Sequence, residues 1–175
     1  ADFAGDVLVL SGDVPLLDAE TLSALLAEHR AAHAAATLLS AQLQDPTGYG
    51  RVIRDGDGGV SRIVEQKDAS ADELTVTEVN SGVYVFRAAA LRAHIGGLTT
   101  ANSQGEMYLT DVVALLRAAG ELINARTIAD ASLVEGINDR VQLAEAAARL
   151  NARVIRRWQL AGVTVQDPAT TWIDV

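Results

Sequence analysis

The chain has 175 residues, 49% of them hydrophobic, and a formal net charge of −9. That length supports one domain with a sizeable core, and the acidic balance argues against general nucleic-acid binding. Cysteine is absent, which excludes disulfides and thiolate metal sites and is compatible with a cytoplasmic protein. No apolar run reaches the roughly 18 residues of a membrane span, and no basic leader marks a signal peptide.

Val7-Leu8-Val9-Leu10 is a short, unbroken apolar run that enters Ser11-Gly12-Asp13. It reads as a strand buried on both faces, of the kind found in parallel sheets. Asp13 would stand at its carboxyl end, where open α/β sheets bind ligands, beside a glycine that lets a ligand approach the backbone. A carboxylate there suits a hydrated divalent cation carrying phosphates, and equally a strand end or a helix cap. Asp18 is a predicted N-cap for a helix to about His33, with Leu22, Leu25 and Leu26 on its packing face. Residues 36–43 resume a strand, and strand–helix–strand suggests a right-handed parallel crossover.

Asp45 to Arg51 is a loop in which Gly48 and Gly50 bracket Tyr49. A hairpin follows: a strand from Val52, a tight turn at residues 55–59, and a return strand over 60–65. The Asp-rich turn is no calcium loop, because Gly59 and Val60 stand where a ligand and the required glycine belong. Residues 69–74 read as a surface excursion. Residues 76–86 form a long predicted strand interrupted by Asn80-Ser81-Gly82, a polar triplet that marks a bulge or a ligand-facing stretch. A short helix over 88–95, a polar loop over 99–105, a helix or a turn entering one over 106–119, and a strand over 122–128 complete this part. His29, His33 and His94 form no metal cluster with neighbouring acids and read as exposed helix positions.

A long helix is predicted over 139–160, with Leu143, Ala147, Leu150, Val154 and Trp158 as a packing stripe. Arg149, Arg153, Arg156 and Arg157 cluster in its second half, where cations complement the helix C-terminus. Moderate apolar content and the acidic remainder favour a connecting helix over a membrane or nucleic-acid contact. Short extended stretches follow Gly162.

Taken together, six loops are familiar: Ser11-Gly12-Asp13-Val14-Pro15-Leu16; Gly48-Tyr49-Gly50-Arg51; Ile63-Val64-Glu65-Gln66-Lys67-Asp68-Ala69; Glu78-Val79-Asn80-Ser81-Gly82; residues 102–111, Asn102 to Asp111; and Glu135-Gly136-Ile137-Asn138-Asp139-Arg140. In order and spacing this set resembles the bacterial bifunctional N-acetylglucosamine-1-phosphate uridyltransferase/glucosamine-1-phosphate acetyltransferases, over essentially the whole chain. The family's N-terminal Gly-rich loop, of the Leu-Ala-Ala-Gly-x-Gly-Thr type, has no counterpart here. Nor does most of its C-terminal β-helix. The resemblance therefore implies an internal fragment of α/β class. Residues 1–138 would be the second part of a Rossmann-like nucleotidyltransferase domain with a mixed sheet. Residues 139–161 would be the connecting helix, and 162–175 the first segment of a left-handed β-helix.

The implied reaction is Mg²⁺-dependent uridylyl transfer from UTP to N-acetylglucosamine 1-phosphate, giving UDP-N-acetylglucosamine and pyrophosphate for peptidoglycan synthesis. The family's metal ligands fall on Asp13 and Asn138. Its sugar-nucleotide contacts fall on Gly50, Glu65 and Asn80, with Ser11, Gly12, Asp13, Tyr108, Thr110 and Asn138 as further substrate contacts. No residue is assigned as a general acid or base, because the attacking phosphate oxygen is already anionic. Ser11 stands where many members carry Tyr, which removes an aromatic surface. Asp139 stands where many carry Asn, which adds charge beside the metal ligands. The implied parent is a cytoplasmic homotrimer assembled through the β-helix, without nucleic-acid or membrane partners, and the isolated chain is expected to be inactive. A non-catalytic sugar-nucleotide-binding or assembly fragment, and a nucleotidyltransferase for another sugar 1-phosphate, are the competing readings.

Overall fold

Residues 78–87 form the longest strand of the structure, a computed structural model that describes residues 3–174. The chain divides into two compact units. The larger comprises the chain up to Ser11 together with Leu17–Val134. It contains β1 (Asp6–Val9), α1 (Ala19–Ala32), β2 (Ala36–Gln42), β3 (Arg51–Arg54), β4 (Val60–Val64), β5 (Glu78–Arg87), α2 (Ala88–His94), α3 (Asp111–Ala118) and β6 (Ile123–Ile128). The strands make one mixed sheet in the order β4-β3-β5-β2-β6, with β1 also paired to β5. Only β2 and β6 pair in parallel; the other ladders are antiparallel.

The central strand has a divided edge. β2 runs along one side of β5. On the other side Val79 faces Arg51 of β3, whereas Tyr84, Val85, Phe86 and Arg87 face Val9, Leu8, Val7 and Asp6 of β1. Residues 80–83 lie where the neighbour changes from β3 to β1. β1 and β2 are both antiparallel to β5, so they run parallel to each other with β5 between them. Leu38, Val52, Ile63, Tyr84, Phe86, Val112, Val113, Leu116 and Ile123 belong to one buried core.

Local signals explain most element boundaries. Asp18 caps α1 through a 2.8 Å bond from the Thr21 N–H to Oδ1. The hairpin turn closes as Asp55 Oδ1 accepts from the N–H groups of Asp57 and Gly59, at 3.2 and 2.9 Å. Two expectations for this unit, on β1 and on His29, need correction. β1 ends at Val9, four residues before Asp13, and is not buried on both faces: Leu8 is 41% exposed. It has a single sheet neighbour among the described residues, so part of its surface lacks cover. After Gly105 the second of the two readings holds, a turn entering a helix: the Asn102 side chain holds residues 102–106, and α3 starts at Asp111. His29 is not an exposed helix position. It is 2% exposed, with Nδ1 2.9 Å from Thr37 Oγ1 and Nε2 3.5 Å from Asp6 Oδ1.

Burial pushes the His29 imidazole below its ordinary pKa, against the opposing pull of Asp6. The unfolded chain therefore binds this proton more readily than the native one. Stability from this site is complete above the unfolded value, 6.5, and is lost as pH falls through the depressed native value. Thermal melts should show the midpoint falling by a few degrees between about pH 7 and pH 5.5. That part of the slope should flatten in His29→Gln.

The smaller unit comprises Gly12–Leu16 and the chain from Glu135 onward. Its one long element is α4 (Arg140–Leu160), capped by Asp139, whose Oδ1 accepts from the Val141 and Gln142 N–H groups at 2.8 Å each. The predicted packing stripe is largely open: Leu143, Leu150 and Trp158 are exposed, and the buried positions are Asn151, Val154 and Ile155. Val154, a member of that stripe, is buried, and Asn151 beside it binds the returning chain. Its carboxamide donates to the Thr171 carbonyl at 2.7 Å and accepts from the Ile173 N–H at 3.1 Å, so the returning chain partly covers this face near its middle. Arg153 donates to the Leu16 carbonyl at 2.9 Å. Among the described residues no strand follows α4, so the β-helix segment expected after Gly162 is not formed here.

Candidate functional site

The polar triplet in β5 is a bulge. Leu38 pairs with Tyr84 and Ser40 with Asn80, so a two-residue advance on β2 matches four residues on β5. Gly82 sits within it at φ +75°, and a Cβ there would stand 2.2 Å from Ser11 Oγ. Only glycine suits both the left-handed backbone and this close approach. Ser11, just past β1, donates to the Gly82 carbonyl at 3.4 Å.

The bulge gathers four of the sequence-predicted substrate residues. The Asn80 N–H donates to the Gly50 carbonyl at 2.9 Å. Gly50 is buried, and a Cβ on it would lie 3.3 Å from both Glu65 Oε2 and Ile63 Cγ2. Thr110 Oγ1 in turn donates to Glu65 Oε1 at 3.0 Å. Gly50, Glu65, Asn80 and Thr110 thus form a continuous chain of contacts drawn from four separate segments. Tyr108 joins through side chains: its hydroxyl accepts from Gln104 Nε2 at 2.6 Å, and Gln104 Oε1 accepts from Lys67 Nζ. Gly50 and Thr110 are buried beneath the half-buried Glu65, Asn80 and Tyr108, whose carboxylate, carboxamide and hydroxyl groups suit a polyhydroxylated ligand.

Several residues that hold this surface were not assigned from the sequence. Arg51 is 2% exposed; its guanidinium donates to the Tyr49 carbonyl and, at 2.7 Å, to Gln66 Oε1, which also accepts from the Gly48 N–H at 3.3 Å. Arg51 therefore ties the Gly48–Gly50 loop to the segment that carries Glu65. It lies inside the Gly-Tyr-Gly-Arg motif, so the motif was the signal available. Tyr84 was also missed. Its buried hydroxyl accepts from Asn80 Nδ2 at 2.7 Å. Burial, with a contribution from the Glu65 charge, pushes the Tyr84 pKa far up and keeps the phenol neutral. Asp111 is shifted upward as well, by burial and by Asp68.

The two predicted metal ligands lie in the smaller unit, and the structure brings their segments together. The Ile137 N–H donates to the Asp13 carbonyl at 2.9 Å, and a Cβ on Gly136 would lie 3.2 Å from Asp13 Oδ2. Gly136 thereby leaves room for the Asp13 carboxylate. Both Asp13 and Asn138 are exposed. No hydrogen bond or ion pair joins the Asp13 carboxylate or the Asn138 carboxamide to the described residues; Asn138 bonds through its backbone N–H, to Gln142 Oε1 at 2.6 Å. Asp139, not Asn138, caps the helix, and its carboxylate is thereby committed to α4. Two uncommitted, exposed oxygen donors fit Mg²⁺, which keeps several waters and uses few protein ligands. Gly12 is exposed, with nothing within 4 Å of a Cβ placed on it. Among the described residues no group of three or more His, Cys, Asp or Glu forms a metal cluster.

Comparison with known proteins gives the lineage. The nucleotidyl transferase family model matches residues 1–175. "Bifunctional protein GlmU" of Leifsonia xyli subsp. xyli is 60% identical over 175 residues, covering 100% of this chain and 36% of that protein. The protein of the same name from Mycolicibacterium vanbaalenii is 58% identical over 175 residues, again 100% of this chain and 36% of the relative. The chain thus spans about a third of the length of the curated relatives it matches. A crystal structure described as a glucose-1-phosphate thymidylyltransferase from Bacillus anthracis, in complex with sucrose, superposes with a TM-score of 0.58 at 17% identity, covering 96% of this chain and 60% of that one; at that identity the likeness is one of fold. No helix among the described residues is long and apolar enough to cross a membrane. With the family model matched from end to end on a mixed sheet of this topology, the chain belongs to the nucleotidyl transferase family.

Proposed function

We propose that this chain is part of an enzyme that transfers the uridylyl group of UTP to N-acetylglucosamine 1-phosphate, releasing pyrophosphate. The observation that carries the reading is the convergence of Gly50, Glu65, Asn80 and Thr110 at the β5 bulge. Four segments meet there with the hydrogen-bonding groups a sugar requires. The relatives at 58–60% identity, each named "Bifunctional protein GlmU", support placing the chain in such an enzyme.

In the reaction, a phosphate oxygen of the sugar phosphate forms a bond to the α-phosphorus of UTP. The bond from that phosphorus to the pyrophosphate oxygen breaks, and its electron pair leaves with pyrophosphate. The nucleophile is anionic at neutral pH, so this chain supplies positioning rather than a strong base. Glu65 accepts hydrogen bonds from sugar hydroxyls, and the Asn80 carboxamide both donates and accepts. Gly50 offers backbone at close range. Tyr108 and Thr110 contribute hydroxyls, and Ser11 and Gly12 contribute backbone. Asp13 and Asn138 hold Mg²⁺ through carboxylate and carbonyl oxygens. When bound, that ion supplies positive charge to the phosphates.

The same reading assigns residues 1–138 to the nucleotidyltransferase domain, 139–161 to the connecting helix and 162–175 to the start of a β-helix. The full protein would be a cytoplasmic trimer that also acetylates glucosamine 1-phosphate and serves peptidoglycan synthesis. The test is pyrophosphate release by the full-length protein, with a panel of nucleoside triphosphates and sugar 1-phosphates plus Mg²⁺. Turnover greatest with UTP and N-acetylglucosamine 1-phosphate is expected. Preference for another pair would reassign the substrate, and no turnover with any pair would remove the enzymatic reading.

A further inference from the structure

We propose that Tyr84 is a positioning residue for the sugar phosphate: its hydroxyl, brought beside Asn80 by the β5 bulge, holds the Asn80 carboxamide in the orientation that the Gly82 N–H selects. The inference rests on the proposed contact between Asn80 and the sugar.

The bulge makes the contact possible. In a regular strand, residues four apart are separated by about 13 Å, too far for this pair to meet directly. Here the four-residue segment spans only the length of two residues on β2. Asn80 Nδ2 consequently reaches the Tyr84 hydroxyl at 2.7 Å. The hydroxyl is itself fixed. Tyr84 is 3% exposed, and its ring stacks on the buried Phe86 with centroids 5.4 Å apart and planes 28° from parallel.

The orientation of the carboxamide follows from chemistry. A free asparagine side chain can present its oxygen or its NH₂ group in either direction, since the two halves have nearly the same shape. The Gly82 backbone N–H lies 3.3 Å from Asn80 Oδ1, and a backbone N–H can only donate. That side must hold the oxygen, so the NH₂ faces Tyr84. The phenol, which can donate or accept, takes the accepting role from Nδ2 and anchors the second end of the carboxamide. One carboxamide N–H and one oxygen lone pair then remain for ligand, in a defined direction. Burial and the nearby Glu65 charge keep the phenol protonated, so the contact is not titrated near neutral pH.

Tyr84→Phe keeps the ring on Phe86 and removes only the hydroxyl. In the full-length protein, with UTP, N-acetylglucosamine 1-phosphate and Mg²⁺, the KM for the sugar phosphate is expected to rise about five- to tenfold, the size of one neutral hydrogen bond. The kcat and the KM for UTP should stay within about twofold. Asn80→Ala should raise the same KM, and the double variant should be no worse than Asn80→Ala alone. KM reads the folded enzyme, so a loss of folded protein does not mimic the result. If Asn80→Ala raises the sugar KM and Tyr84→Phe does not, the positioning role is overturned while the sugar contact stands. Additive losses in the double variant would also overturn it. If neither variant changes the sugar KM, or the wild type does not turn over, the underlying reading of Asn80 falls, and the proposal with it.

Discussion

In the full-length protein, under the proposed reaction, Asp13→Ala is expected to lower Mg²⁺-supported uridylyl transfer by on the order of a thousandfold or more, with little change in melting temperature. The two halves of this expectation come from different atoms of one residue. The Asp13 backbone carbonyl accepts from the Ile137 N–H at 2.9 Å, a bond that alanine keeps. Its carboxylate is exposed, and none of its hydrogen bonds or ion pairs is to the described residues, so removing it costs the fold little. Gly136→Ala gives a graded counterpart. A Cβ there would sit 3.2 Å from Asp13 Oδ2 and push the carboxylate aside without deleting it. That variant should need more Mg²⁺ for half-maximal turnover yet recover activity at high Mg²⁺, whereas Asp13→Ala should not recover. Normal turnover by Asp13→Ala would remove the metal-binding role.

Much of the local structure could be read from short stretches of sequence. Asp18 before an amphipathic run marks the start of α1, and the Asp55–Gly59 turn closes the β3–β4 hairpin through backbone bonds to its first carboxylate. The polar triplet inside β5 was legible as an irregularity because a polar run is costly in a strand unless it finds partners. What it bonds to was not legible. Asn80 meets Gly50 and Tyr84, and Ser81 donates to the Leu39 carbonyl at 2.7 Å. Pairing of residues 6–9 with 84–87 has no local signature, so the divided edge of β5 could not be foreseen. His29 was misjudged for a related reason: its helical position suggested solvent, but Thr37 and Asp6 enclose it from other elements. The reverse happened on α4, where helical spacing suggested burial for Leu143, Leu150 and Trp158, and the described chain leaves them exposed.

The candidate site divides in the same way. Elementary chemistry singled out Asp13 at a ligand-prone position but left Glu65 and Asn80 as a strand end and a bulge residue. Their assignment as sugar contacts came from resemblance across six loops. The contacts among Gly50, Glu65, Asn80 and Thr110 add a physical relation that no single motif contains. The supporting residues, Arg51 and Tyr84, act through tertiary contacts, and such roles leave only faint marks in one sequence.

Glu78→Ala is expected to destabilise the fold by about 2–3 kcal/mol, less than a fully buried pair would because Arg54 is 34% exposed, and to lower the melting temperature by about 5–10 °C. Glu78 is 6% exposed and lies two residues before Asn80. Its Oε2 accepts from Arg54 Nε and its Oε1 from Arg54 Nη2, each at 2.7 Å. Oε1 also accepts from Ser40 Oγ at 2.7 Å and from Thr127 Oγ1 at 3.3 Å. One carboxylate therefore links β3, β5, β2 and β6. Alanine would deprive the Arg54 guanidinium of its carboxylate, leaving it the Gly58 carbonyl at 2.8 Å, and would leave the Ser40 and Thr127 hydroxyls only each other, 3.0 Å apart. Replacing the pair together, as Arg54→Leu with Glu78→Leu, should cost less than Glu78→Ala alone, because no charge is then stranded. Burial raises the Glu78 pKa, but Arg54 and the Ser40 hydroxyl outweigh it and hold the group below its ordinary 4.5. Stability from this network is thus complete above that value and is lost as pH falls through the depressed native pKa. Acid titration followed by far-UV circular dichroism should show a loss of cooperativity below about pH 4.5 that Glu78→Gln attenuates. Equal melting temperatures for Glu78→Ala and wild type at neutral pH would show that the network contributes nothing to the sheet.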